Sequence, residues 1–120
     1  MSGYLTTHVL DTARGCPAQG IDIVLYRLGA GTRVQIGKAQ TNADGRTDAP
    51  ILPQGAFQAG QYELLFHCGP YLRAHGLIGA EGGPDFLDQV PIRFGIADPS
   101  AHYHVPLLLS PYGYTTYRGS

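Results

Sequence analysis

The stretch Leu5-Thr6-Thr7-His8-Val9-Leu10 sets the fold class. Leu5, Thr7 and Val9 alternate with Thr6, His8 and Leu10, the period of two that a half-buried β-strand needs. The same period recurs down the chain. Ile21, Ile23 and Leu25 face one way while Asp22, Val24 and Tyr26 face the other, and Val34 and Ile36 continue the pattern across GTRVQIGKAQ. Tyr62, Leu64 and Phe66 make a further alternation, and Val90, Ile92, Phe94 and Ile96 another. His102 to Leu109 and Tyr114 to Arg118 add two candidates, parted by the turn residues Ser110-Pro111-Tyr112-Gly113. Between the strands, ARGCPAQG (Ala13–Gly20) and TNADGRTD (Thr41–Asp48) read as turns, with Asp44-Gly45 offering the positive φ of a tight hairpin. Only Pro70 to Leu77 reads as helical, over about two turns, and Pro70 suits a first helical position. Many short strands with regular turn signals predict an all-β sandwich of two sheets with one short helix.

Composition agrees and narrows the class. A chain of 120 residues and 12.8 kDa is the size of one domain, expected to span residues 1–120. The hydrophobic fraction of 43% supports a core, and the 17 glycines and 9 prolines are dispersed as punctuation between apolar runs. Charged residues are only 14% of the chain, so part of the surface is expected to be covered by other copies. A net charge of −1 offers no basic face for phosphates, which argues against nucleic acid as a partner. The N-terminus MSGYLTTHVLD lacks a positive n-region and an apolar h-region, so a cytoplasmic protein is expected. The uncharged stretch Pro99–Tyr117 carries prolines, histidines and hydroxyls unsuited to a membrane span. Cys16 and Cys68 are expected to be free thiols.

Four features could carry chemistry. His8 sits within the first strand, and Arg46 follows the Asp-Gly turn. His102 and His104 stand at i and i+2, so both leave the same face of a strand. The chain ends in Tyr117-Arg118-Gly119-Ser120. Taken singly, a strand histidine more often satisfies a structural hydrogen bond, and an arginine beside a turn is usually a solvated charge. Taken together, two histidines titrating near neutral pH can exchange protons with water and a leaving nitrogen. An arginine fork can hold a urea-like or anionic heterocycle, stabilise an oxyanion and keep a nearby histidine neutral. Neither cysteine has a motif of a catalytic nucleophile, which leaves water as the attacking group. A metal site built from His8, His102 and His104 is the competing use of the same residues.

THVLDTARGCPAQGIDIVLYR (Thr7–Arg27), TNADGRTD (Thr41–Asp48) and HYHVPLLLSPYGYTTYRGS (His102–Ser120) resemble the transthyretin-like proteins over essentially the whole chain. Within that family the terminal YRGS marks the 5-hydroxyisourate hydrolases and is absent from the hormone carriers. The resemblance implies a sandwich of two four-stranded sheets, about eight strands, assembled as a homotetramer with a central channel. It implies active sites at the dimer–dimer interface that open the N1–C6 ring amide of 5-hydroxyisourate. The product is 2-oxo-4-hydroxy-4-carboxy-5-ureidoimidazoline, a step of urate degradation that needs neither cofactor nor metal. Carried over position by position, His8, Arg46 and His104 (not His102) are the catalytic set, and Tyr117, Arg118, Gly119 and Ser120 form the pocket wall.

The chain departs from the family at Thr116, where many relatives have serine, and in the loop Ala74–Pro91, whose Phe86-Leu87-Asp88 replaces a more aromatic pattern. Two other readings share the fold or the residues. One is a carrier without catalytic activity whose channel holds a small ligand; the other is a metal-binding sandwich.

Overall fold

The computed structural model describes residues 3–52, 57–79 and 84–119. Ten strands and one helix are found among them: β1 (Tyr4–Thr6), β2 (Val9–Asp11), β3 (Cys16–Pro17), β4 (Asp22–Gly29), β5 (Thr32–Gln40), β6 (Gly60–His67), α1 (Gly69–Ala74), β7 (Gln89–Ile96), β8 (His102–His104), β9 (Leu107–Ser110) and β10 (Gly113–Thr116). One sheet runs β5-β4-β6-β7, antiparallel throughout. The other runs β10-β9-β2-β3, with a parallel β2–β9 pair at its centre. The strands β1 and β8 form a separate parallel pair that continues the line of β2 and β9.

The stretch Leu5–Leu10 is thus one extended segment broken in the middle, and its partner His102–Ser110 breaks at the same level. The break spans Thr7–His8 opposite Val105–Pro106, without a shift of register. The neighbouring groups find other partners: Val105 N donates to Thr6 O at 3.0 Å, Leu107 N to His8 O at 2.9 Å, and Thr7 Oγ1 to Val105 O at 2.7 Å. Side chains keep their alternation through the break. Leu5, Thr7, Val9 and Asp11 are buried, as are Tyr103, Val105, Leu107 and Leu109, while Thr6, His8, His102 and His104 are only half-buried.

The core lies between the sheets. Leu5, Val9, Leu107 and Leu109 come from one side, and Ile23, Leu25, Leu64, Phe66, Val90 and Ile92 from the other. Burying each such side chain contributes about 1.5–3 kcal/mol. Both cysteines are free, Cys68 within this core.

Several boundaries differ from those read from sequence. The helix covers Gly69–Ala74 and ends at His75, not Leu77. The stretch Ala13–Gly20 is not all turn, since Cys16–Pro17 pairs with β2. The last strand stops at Thr116, two residues short of Arg118. The Thr41–Asp48 turn does contain a glycine of positive φ, Gly45 at 74°. It joins no hairpin, however: Val9 N donates to Gly45 O at 2.8 Å, so the turn is sewn onto β2.

Candidate active site

The parallel pairing of β1 with β8 sets Thr6 directly opposite His104 and Tyr4 opposite His102. Because Thr6, His102 and His104 leave the same face, their polar ends converge. Thr6 Oγ1 lies 2.6 Å from His102 Nε2 and 2.8 Å from His104 Nδ1. The Tyr4 ring stacks on His102 at 4.2 Å between centroids, with 11° between planes.

Arg46 reaches this cluster through its turn. The Asn42 side-chain carbonyl accepts the amides of Asp44 and Arg46 at 2.9 and 3.1 Å, and Asn42 N donates to Arg46 O at 2.7 Å. Gly45 is required at the apex, because its φ is positive and a β-carbon there would collide with the Val9 carbonyl oxygen. The turn therefore docks beside His8 and turns Arg46 toward the histidines. A cavity of about 440 Å³ results, lined by Tyr4, Thr6, Arg46, Asp48, His102 and His104 among others. That volume lies within the range of small-molecule sites, about 300–1,000 Å³.

Electrostatics make the imidazoles bases, not acids. Burial, and next the positive charge of Arg46, hold His104 below its usual value, with His102 and His8 adding to the effect. His8 is lowered by the same two causes in the same order, against the opposing pull of the Asp44 main chain and carboxylate. Arg46 thus acts on both histidines, although His8 is not among the residues lining the cavity. Two neutral imidazoles beside a permanent cation can take a proton from water and stabilise an oxyanion. No cluster of three His, Cys, Asp or Glu groups arranged to hold a metal ion occurs among the described residues.

The sequence of the HIUase/Transthyretin family, as a family model, matches residues 5–119. The chain belongs to that family. It is 58% identical over 119 residues to 5-hydroxyisourate hydrolase 2 of Rhizobium meliloti (strain 1021), covering 99% of this chain and 98% of the relative. The solved Klebsiella pneumoniae 5-hydroxyisourate hydrolase superposes with a TM-score of 0.80 at 33% identity, covering 100% of both chains. Sea bream transthyretin in complex with thyroxine superposes at 0.82 with 29% identity, covering 96% of this chain and 93% of that one. The family resemblance and the sandwich expected from the sequence are therefore both found.

Of the residues expected from sequence in this member of the family, Arg46 and His104 share the cavity and His8 adjoins it electrostatically. The C-terminal residues divide. Gly119 bridges to His104, donating from N to the His104 carbonyl at 2.7 Å. Tyr117 and Arg118 line a different groove, and the Arg118 guanidinium sits 4.1 Å from the centroid of the Tyr103 ring. Tyr103 leaves β8 on the face opposite His102 and His104, so within one chain these two residues do not wall the histidine cavity. Ser120 lies outside the described residues, as do residues 80–83 of the loop noted above. Sequence reading passed over Tyr4 and Thr6. The alternation placed Thr6 on the same face as His8, but only the pairing of β1 with β8 brings it to the two histidines.

Proposed function

We propose that this chain hydrolyses 5-hydroxyisourate, opening its N1–C6 ring amide to give 2-oxo-4-hydroxy-4-carboxy-5-ureidoimidazoline. The observation that carries the reading is the meeting of His104 and Arg46 in one cavity, with both His104 and His8 held toward the neutral form. Resonance makes a ring amide a poor electrophile, so the site must both deprotonate water and stabilise the tetrahedral oxyanion. His104 takes the proton of the attacking water. Arg46 holds the planar substrate by its fork and stabilises the developing negative charge. The His104 imidazolium so formed returns that proton to the leaving ring nitrogen, while His8, kept neutral in the field of the same arginine, helps to position the water. No step calls for a metal or cofactor. The names of the relatives in Rhizobium meliloti and Klebsiella pneumoniae support this assignment.

The working form in this reading is a homotetramer, a dimer of dimers. Support comes from the scarcity of charge and from the exposure of Tyr4, Tyr114 and Tyr117 on a chain with few charged groups to keep it apart. Tyr117 and Arg118, which line a groove away from the histidine cavity of their own chain, would then wall the site of a neighbouring copy. A cytoplasmic location belongs to the same reading, and no helix among the described residues is long and apolar enough to cross a membrane.

The likeness to sea bream transthyretin with thyroxine favours a carrier as the second reading. A site for an apolar ligand has little use for an arginine and two imidazoles. One experiment separates the two. Urate is oxidised by urate oxidase in the cuvette, and the ultraviolet decay of fresh hydroxyisourate is followed with wild type and with His104→Ala. Acceleration by wild type that is lost in the variant supports the hydrolase; equal decay with and without protein supports the carrier. Unchanged rates in a strong chelator would separate either from a metal enzyme.

A further inference from the structure

Thr6 stands between two imidazoles with one proton to share. Its Oγ1 is within hydrogen-bond distance of both His102 Nε2 and His104 Nδ1. A hydroxyl donates once and accepts through its lone pairs, so Thr6 can be the donor to only one of the rings. The other ring nitrogen must carry the proton itself. The two tautomers are therefore coupled. When Thr6 donates to His102, His104 donates from Nδ1 and its Nε2 lone pair is free. When Thr6 donates to His104, Nε2 of His104 holds the proton and cannot accept another.

Both rings are held while this choice is made. Tyr4 stacks on His102, and Gly119 packs against the Cδ2 edge of His104. The register of β1 and β8 fixes Thr6 opposite His104 by main-chain pairing. The coupling is thus a feature of two ordered strands, not of a loop.

We propose that Thr6 is a positioning residue for hydrolysis: its hydroxyl donates to His102 Nε2 and accepts from His104 Nδ1–H, presenting His104 Nε2 unprotonated to water. The sense of the chain follows from what happens next. When His104 Nε2 takes the water proton, the imidazolium keeps donating from Nδ1 to the same Thr6 oxygen, and nothing has to rotate. In the opposite sense, the proton on Nε2 would first have to leave and the threonine hydroxyl turn away. His102 is then the acceptor that directs Thr6, which gives the first histidine of the pair a role although it does not itself touch the reacting atoms. The relay is neutral, so it orients His104 without the basicity that a carboxylate partner would add. Its kinetic consequence rests on the hydrolase reading above; its hydrogen-bond pattern does not.

The test uses full-length protein and reads tautomers as well as rates. Long-range proton–nitrogen correlation spectra of histidine-labelled protein distinguish a ring protonated at Nδ1 from one protonated at Nε2. Wild-type His104 is expected to be protonated at Nδ1. Thr6→Val, which keeps the shape and removes the hydroxyl, should give a mixed His104 population and lower kcat about 10- to 100-fold with KM within about twofold. Thr6→Ser should restore both. His102→Phe keeps a ring for Tyr4 to stack on but frees the Thr6 proton for His104, so it should move His104 to the Nε2–H form and lower kcat, even if Thr6→Val fails to fold. The proposal is overturned by a wild-type His104 protonated at Nε2, or by spectra and kcat unchanged in His102→Phe. Absence of any wild-type hydrolysis would instead overturn the hydrolase reading, and the spectra would still decide the hydrogen-bond pattern.

Discussion

Gly119 packs against the Cδ2 edge of the His104 imidazole, tied by its amide to the His104 carbonyl at 2.7 Å, and a β-carbon at position 119 would collide with Cδ2 of the ring. The end of the chain therefore acts on the site through an absent side chain. Gly119→Ala must displace either the terminal residues or the histidine. Turnover is expected to fall at least about tenfold, while thermal unfolding moves little because the terminus adds little to the core. Steady-state kinetics alongside a melting curve measure both; full activity in a folded Gly119→Ala protein would detach the tail from the site.

Arg46 is the one permanent cation lining the histidine cavity among the described residues. Loss of a preorganised donor to an oxyanion costs about 10²–10³ in kcat. Arg46→Ala is expected to lose activity on that scale with its oligomeric state unchanged. Arg46→Lys should recover only part, because an ammonium keeps the charge and loses the planar fork. Unimpaired turnover in Arg46→Ala would remove the electrostatic role.

Burial and then Arg46 hold both His8 and His104 below the ordinary imidazole value of 6.5. The acid limb of kcat/KM is therefore expected below pH 6.5, and Arg46→Gln should move it upward by removing the second cause. Stability carries the same sign. A histidine whose folded value is depressed binds fewer protons folded than unfolded, so stability is whole above 6.5 and declines as pH falls toward the lowered values. Melting temperatures recorded downward from pH 7 should show that decline, and His104→Gln should blunt it.

Much of this was legible in the chain and some was not, for reasons of geometry. Period-two alternation reports which face a residue takes, so Ile23, Leu25, Tyr62, Leu64 and Phe66 are fully buried as read. It says nothing of which strand lies alongside, and that is why Thr6 was invisible as the partner of two histidines 96 and 98 residues away. It also passes over Glu63, a charged residue in the middle of β6 that is only 2% exposed. Arg33 on β5 and Arg93 on β7 meet its carboxylate at 2.9 and 3.0 Å, a cross-strand arrangement no local pattern announces. The proposed trio of His8, Arg46 and His104 came from the family resemblance together with residue chemistry. The separation of Tyr117 and Arg118 from Gly119 did not, because a run of four residues at the end of a strand reads as one unit until its alternate faces are known.

Gly45 couples backbone geometry to the site. At a φ of 74° and with no room for a β-carbon against the Val9 carbonyl, alanine adds backbone strain and a clash with main chain. Gly45→Ala is expected to cost at least about 2 kcal/mol and to impair turnover by unseating Arg46. Chemical denaturation and kinetics on one preparation check both effects. Loss of stability with normal turnover would mean that the turn holds the fold and not the arginine.

Asp11 is a buried carboxylate outside the histidine cavity, and it offers a test of whether fold and function separate. It is 1% exposed and accepts the amides of Ala13 and Arg14 at 3.1 and 2.9 Å and the Tyr71 hydroxyl at 2.6 Å. Tyr71 also accepts from Arg14 at 3.0 Å, so it ties α1 to the end of β2. Burial, followed by the Asp11 carboxylate, pushes the Tyr71 hydroxyl up to about 12, so it remains a donor at any physiological pH. Tyr71→Phe leaves Asp11 with one fewer donor in a place water does not reach, which costs about 1–3 kcal/mol. Because the other two donors come from the main chain, the carboxylate stays anchored and the loop after β2 keeps its path. The variant should melt earlier and, per folded molecule, turn over at the wild-type rate. A fall in kcat at a temperature well below its melting point would show that α1 reaches the site through β2, and that the scaffold and the chemistry are not separable here.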